Sequence, residues 1–475
     1  MAWSALCSPE GFRDALRKGM GRAVKHVRAA PPELVREPLL DACVRWVGYD
    51  MMCEGSRVPW LYEMIMLTGE EDWYCAEALK ALEQVRDFPE DSRDLYQLTE
   101  LLAVFALNGH PEARKPLADK LLGFEPTDGF IFQNELPAEI FAVDGIVKIL
   151  RRYSRMEDRD QAVFSCDYFL AEAEKRLRQP LAEAIKRAEG GDETLHSFLR
   201  DLEKYRLDEE EADRQRLISP PVPPQRVPPQ PSLDELLSLL DNSPPAPDRE
   251  WTDETFREEN FSLFNQVRRA ACTPNRRHVA SAESLEKAFE QLLKENDPAR
   301  QFCLIGAFDL MPMPRFDPSI LALMDSPFQV VRWATARALS NTSAPEIRAK
   351  GRELLASASR GEDWDHGFGL LTASGRAEDV PLILDALSAI PVRALDAFDI
   401  HNIVWSARDL AEKIATPKDA APIMLWTYEN SPCANCREKA FFWLAENRLA
   451  PDRLIEECLD DCDEYASGLA LEALK

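Results

Sequence analysis

Long hydrophobic runs are missing from this sequence. The apolar stretches are short and broken by charged residues, so no segment reads as a membrane span. The opening stretch, MAWSALCSPEGFRDALRKGMG, lacks a basic n-region and a long apolar core. That argues against a secretory signal and sets the expectation of a cytoplasmic protein. Cysteine is too sparse for a disulfide scaffold, with 11 among 475 residues, so reduced thiols are expected. Positive charge is also short. The 57 basic residues stand against 83 acidic ones, a formal charge of -26. That favours solubility and opposes general binding to DNA, RNA or anionic membrane. No β-alternation longer than a few residues occurs, no glycine-rich phosphate loop and no H-E-x-x-H pair. The six histidines, His26, His110, His196, His278, His366 and His401, stand apart from one another at no ligand spacing.

What is present points to helices. The chain is too long for one ordinary core, so two domains or an open repeat is expected. A divider begins at Ser219, where SPPVPPQRVPPQPSLDELLSLLDNSPPAPDREW holds ten prolines between Pro220 and Pro247 and no glycine. Proline fixes φ and lacks a donor, so this stretch reads as an extended, semi-rigid tether. Inside it, Ser232 is placed to cap a short helix whose Leu233, Leu236, Leu237 and Leu240 form one apolar face. That face either docks on its own protein or is offered to a partner groove. The divider gives four segments: an N-terminal helical module over 1–157, long charged helices over 158–218, the linker over 219–251, and a C-terminal module over 252–475. Pro180 reads as a kink or helix start.

One pattern recurs after the divider. DSPFQVVRWATARAL covers Asp325–Leu339, and NSPCANCREKAFFWL covers Asn430–Leu444. Both open on an acidic or amide residue followed by Ser-Pro, and Arg332 matches Arg437 as Leu339 matches Leu444. Asp or Asn is expected to cap the helix and proline to enter its first turn. Val330, Val331, Ala334, Ala338 and Leu339 then make one buried face, and the arginine is spaced to reach an acidic group at the turn of a neighbouring repeat. Degenerate copies occur at 108–122, with Arg114 and Leu121, and at 460–474, with Ser467 in place of the arginine.

This pattern resembles the HEAT repeat, over most of 295–475 and in degenerate form over 30–155. The resemblance implies an all-α, HEAT-like helical-repeat solenoid, here in two modules joined by the proline-rich tether. Such solenoids bind macromolecules along one surface and share no reaction. The expected function is therefore a non-catalytic scaffold or adaptor for a protein partner, regulated through the linker or cleaved there. HEAT-like hydroxylases hold iron with His-Glu pairs, and this sequence has no His-Glu dipeptide. HEAT-like DNA glycosylases use a basic groove, which the charge opposes.

Three groups compete with that reading as sites of chemistry. Cys433, Cys436, Cys458 and Cys462 follow C-x2-C-x21-C-x3-C, near the spacing of a structural zinc site. Against zinc, Cys436 occupies the core place of Val331, and cysteine often serves there as a small hydrophobe. The expectation is accordingly no cofactor. Tyr49, Asp50, Glu54, Arg57 and Trp60, with Cys53 and Tyr62, form a dense polar and aromatic patch that suits a cation or small ligand. Its structural reading is a local Glu54–Arg57 ion pair beside a helix ended by Gly55. Arg268, Arg269, Arg276, Arg277 and His278 suit a phosphate or an acidic peptide, and otherwise form an exposed loop. A further basic run, Arg13, Arg17, Lys18, Arg22, Lys25, Arg28 and Arg36, reads as a solvated helix face.

Overall fold

The first helix shows how local sequence sets the structure, which is a computed structural model. Ser8 caps it by accepting the Gly11 N–H at 3.0 Å, and Pro9 sits at its first position. Arg17 and Lys18 lie in its last turn, facing the negative end of the helix dipole. Gly19 ends it at φ +73°, a left-handed conformation that glycine adopts without a steric penalty. The structure describes residues 8–49, 54–85, 93–123, 140–141, 143–177, 180–188, 190–218, 231–242, 252–273, 279–413 and 416–474. Their regular structure is helical, without a strand; one isolated bridge pairs Cys272 with Val279. No helix among them is long and apolar enough to cross a membrane. The prolines at 220–229 and 244–247 lie outside the described residues.

The chain divides into two compact units. Unit 1 takes residues 1–225 and 456–467, and unit 2 takes 226–455 and 468–475. The first crossing, between Gln225 and Arg226, falls within the proline-rich divider. Residues 456–467, placed by sequence in the C-terminal module, belong to unit 1.

Unit 1 contains α1 (Pro9–Lys18), α2 (Arg22–Ala29), α3 (Pro32–Val44), α4 (Val58–Thr68), α5 (Glu71–Gln84) and α6 (Arg93–Leu107). It continues with α7 (Arg114–Gly123), α8 (Val143–Tyr153), α9 (Arg159–Leu177), α10 (Ala182–Ala188) and α11 (Glu193–Ile218). Helix α3 packs on α1, α4, α5 and α6, and α8 packs on α7, α9, α10 and α11. Pro180 lies just ahead of α10. The long charged pair α9 and α11 is joined by Arg159–Asp201 at 2.8 Å and Arg206–Asp167 at 2.5 Å.

Residues 456–467 complete unit 1 against α1 and α2. The Cys462 N–H donates to Gly19 O at 3.0 Å. Arg22 Nε donates to Glu457 Oε1 at 2.6 Å, with both side chains largely buried. Asp460 takes Arg28 at 3.0 Å and Lys25 at 3.6 Å. Gly21 makes this approach close, since a Cβ there would stand 1.9 Å from Glu457 O.

Unit 2 begins with α12 (Leu233–Asn242). Ser232 caps it in a reciprocal box: Ser232 Oγ accepts the Glu235 N–H at 3.3 Å, and Glu235 accepts the Ser232 N–H at 2.7 Å. Leu233, Leu236, Leu237 and Leu240 are buried in the unit's own core with Phe256, Phe264, Phe289 and Phe302. The apolar stripe inside the tether is thus covered by its own chain.

The remaining helices are α13 (Asp253–Ala271), α14 (Ala282–Lys294), α15 (Pro298–Ile305), α16 (Gln329–Leu339), α17 (Pro345–Ser357) and α18 (Gly361–Ser374). After them come α19 (Val380–Ala389), α20 (Ala397–Lys413), α21 (Pro417–Asn430) and α22 (Ala434–Glu446). Two short helices, α23 (Asp452–Cys458) and α24 (Glu464–Ala473), cross the unit boundaries. From α16 to α22 each helix touches the next but one: α16 packs on α18, α18 on α20 and α20 on α22, while α17 packs on α19 and α19 on α21.

The repeat turn differs from expectation in one respect. Asp325 does not cap α16. It closes a 3-10 helix (Pro318–Asp325), and the N-cap of α16 is Phe328, without a side-chain cap. Asn430 likewise ends α21, and Cys433 is the N-cap of α22. Each Ser-Pro holds an extended turn, so the helix starts later than the acidic or amide residue. Arg332 serves the turn instead, donating through Nη1 to Ser326 O at 2.7 Å and Pro327 O at 3.1 Å. Its Nη2 reaches the Glu362 carboxylate at 2.9 Å, in the first turn of α18, as the spacing predicted. Val331, Ala334, Ala338 and Leu339 are buried, and Val330 is half-buried.

Candidate functional site

Cys433 and Cys436 sit at the start of α22. The Ser431 hydroxyl accepts the Cys433 N–H at 3.1 Å and donates to Cys433 O at 3.0 Å, fixing the turn. Cys433 is extended (φ -92°, ψ 126°) and Cys436 lies within the first helical turn, so the two thiols share the N-terminal end of one helix. Both are buried. Helix α20, packed against α22, supplies two further groups. His401 Nδ1 stands 4.0 Å from Cys436 Sγ, and Arg408 Nη1 lies 3.9 Å from the same sulfur. Arg408 is itself paired with Asp409 at 2.8 Å and lies over the Trp405 ring. One donor atom each from His401, Cys433 and Cys436 falls within 4.8 Å of the other two.

The electrostatics split the two thiols. A hydrogen bond from Cys433 is the largest influence on Cys436; burial opposes it, and Arg408 and Lys439 add to it. The balance brings Cys436 down to about 7. Cys433 moves up, through the same hydrogen bond and through burial. The pair therefore favours the thiolate on Cys436 over that on Cys433. A thiolate, a thiol and an imidazole so placed can ligate a soft cation or act as a nucleophilic dithiol.

The sequence missed His401. It lies on α20, and nothing in its local pattern marks it; only the packing of α20 on α22 brings it to the cysteines. Cys458 and Cys462 are not members of this group. They belong to unit 1, where Cys458 is fully buried and Cys462 is bonded through its backbone to Gly19.

The Tyr49–Trp60 patch is an internal staple of unit 1. Asp50 and Cys53 lie outside the described residues. Glu54 Oε2 accepts the Tyr49 N–H at 2.9 Å and Arg57 Nη2 at 2.8 Å, and the Glu54 and Arg57 side chains are only 1% and 2% exposed. Arg57 also donates to Leu16 O and Arg17 O, carbonyls in the last turn of α1. The Trp60 indole N–H donates to Asp460 O at 2.9 Å.

The basic groups are mostly engaged as well. Arg268 and Arg337 share the buried Asp309. Arg269 is exposed, while Arg276, Arg277 and His278 lie outside the described residues. In the N-terminal run, Arg22, Lys25 and Arg28 meet Glu457 and Asp460, Lys18 meets Asp14, and Arg36 meets Glu70. Arg13 and Arg17 are exposed.

No protein-family model matches the chain, and no curated protein does either.

Proposed function

We propose that this chain is a non-catalytic interaction scaffold, a HEAT-like helical-repeat solenoid that holds a protein partner on a preformed helical surface. The observation that carries the reading is the packing of unit 2, where from α16 to α22 each helix touches the next but one. Helical repeats bury their cores by that stepwise stacking, and each added pair extends a surface. The Arg332–Glu362 pair between successive hairpins supports the same reading.

The partner-binding face runs along α20. Phe398 is 65% exposed and Trp405, two turns on, is 47% exposed. Large aromatics left in water on a rigid helix suit the anchors of a protein interface. The cytoplasm is the compartment in which the scaffold works, and the proline-rich divider is the place where it is regulated or cut.

The test captures partners with the full-length chain and with a Phe398→Ala/Trp405→Ala variant. One protein should be retained stoichiometrically by the parent. The variant should hold it at least about 30-fold more weakly, as for loss of an interface hot spot, with unchanged circular dichroism because both side chains are exposed. Equal retention by both chains, or no stoichiometric partner, would overturn the reading.

A further inference from the structure

We infer that His401, Cys433 and Cys436 form a binding site for one borderline or soft divalent cation, zinc foremost. The inference goes beyond the scaffold reading and stands independently of it. Thiolate and imidazole are the donors zinc prefers, at about 2.3 Å for sulfur and about 2.0–2.1 Å for nitrogen. Around a tetrahedral ion those lengths separate sulfur from nitrogen by about 3.5 Å. Cys436 Sγ and His401 Nδ1 stand 4.0 Å apart, and the three donors all lie within 4.8 Å of one another. The Cys436–His401 pair therefore closes on an ion by about half an ångström, and the widest separation in the group by about one ångström at most.

The backbone is already arranged for this. The Cys433–Cys436 spacing at the start of a 13-residue helix turns both sulfurs toward α20. The thiols are buried, whereas His401 is half-buried and forms the entrance. Arg408, 3.9 Å from Cys436 Sγ, acts in the outer sphere as a donor to the thiolate. Two thiolates neutralise the charge of a divalent ion, so the guanidinium faces no net cation. Among the described residues no fourth Cys, His or carboxylate joins the group, which leaves one coordination position for water.

Cobalt is the probe. The reduced full-length chain, stripped with a chelator, is titrated with Co2+ and then with Zn2+. One equivalent of Co2+ should bind with thiolate-to-cobalt charge-transfer absorption, and Zn2+ should displace it. Cys433→Ser and Cys436→Ser should each abolish that absorption, and His401→Ala should weaken Co2+ binding more than 10-fold. Cys75→Ser, from the separate grouping of Cys75, His110 and Glu112, should leave it intact. X-ray absorption on the zinc-loaded parent chain requires no variant to fold, and should give a shell of two sulfurs with nitrogen or oxygen completing it. Absence of the charge-transfer bands in the parent, their survival in both serine variants, or a zinc shell without sulfur would overturn the site.

Discussion

Replacing Gly21 with alanine should loosen residues 456–467 from the rest of unit 1. The added Cβ would lie 1.9 Å from Glu457 O and 2.8 Å from Asp460 C, both backbone atoms that cannot swing aside. The segment must move as a whole, and with it go Arg22–Glu457 and the Asp460 contacts with Lys25 and Arg28. The cost should reach the upper end of the overpacking range, about 3 kcal/mol. In hydrogen exchange that means roughly 100-fold faster exchange of the Cys462 amide, which is bonded to Gly19 O. Gly369→Ala is the control. Its Cβ meets nothing within 4 Å and it lies inside α18, so stability should hold or rise slightly. Unchanged Cys462 exchange in Gly21→Ala would show that the segment adapts in place.

The second large effect is expected at Asp379. This fully buried carboxylate accepts Arg348 Nε and Nη2, each at 2.8 Å, together with Arg352 and the Arg376 N–H. Asparagine keeps the shape and removes the charge, leaving Arg352 without this counter-ion and Arg348 with only the exposed Glu378. Breaking a buried pair from one side costs about 3–5 kcal/mol. Arg352 is 43% exposed and partly served by water, so the lower end, about 3 kcal/mol, applies. For a unit of this size that is a fall of roughly 6–12 °C in Tm.

The same residue sets an acid dependence. Burial pushes the Asp379 carboxyl up, but Arg348, the Arg376 N–H and Arg352 together outweigh it and hold it below the ordinary value. A group depressed in this way stabilises the fold above its unfolded value, about 3.9, and that contribution is lost as pH falls through the lower folded value. Below about pH 4 the parent should therefore lose stability more steeply than Asp379→Asn. Parallel acid curves in chemical denaturation would remove Asp379 from this role.

Local features were the legible ones. The helical class followed from apolar spacing, the α12 cap from Ser232 and the reach of Arg332 from its offset to the next turn. The Asp325 and Asn430 caps were misread because Ser-Pro extends the turn and delays the helix. Glu54 and Arg57 were paired correctly by proximity, but their burial depends on α1 and leaves no mark in the local sequence. The remaining features depend on distance along the chain. His401 meets Cys436 across 35 positions, and Arg28 meets Asp460 across 432. Neither pairing leaves a periodic trace, because each is decided by which helices stack. The basic run near the N-terminus looked solvated for the same reason, since its counter-ions lie at the other end of the sequence.

The return of residues 456–467 to unit 1 bears on what a protease can accomplish. A single cut between Gln225 and Arg226 severs the chain but leaves unit 1 built from both pieces. The downstream fragment still carries Glu457, Asp460 and Cys462, seated against Gly19, Arg22 and Arg28 of the upstream one. A nicked molecule would therefore travel as a single particle through a sizing column and separate only in denaturant. Two bands on a gel would not signify two free proteins, and a cut becomes a release only when the clasp at Gly21 is also undone.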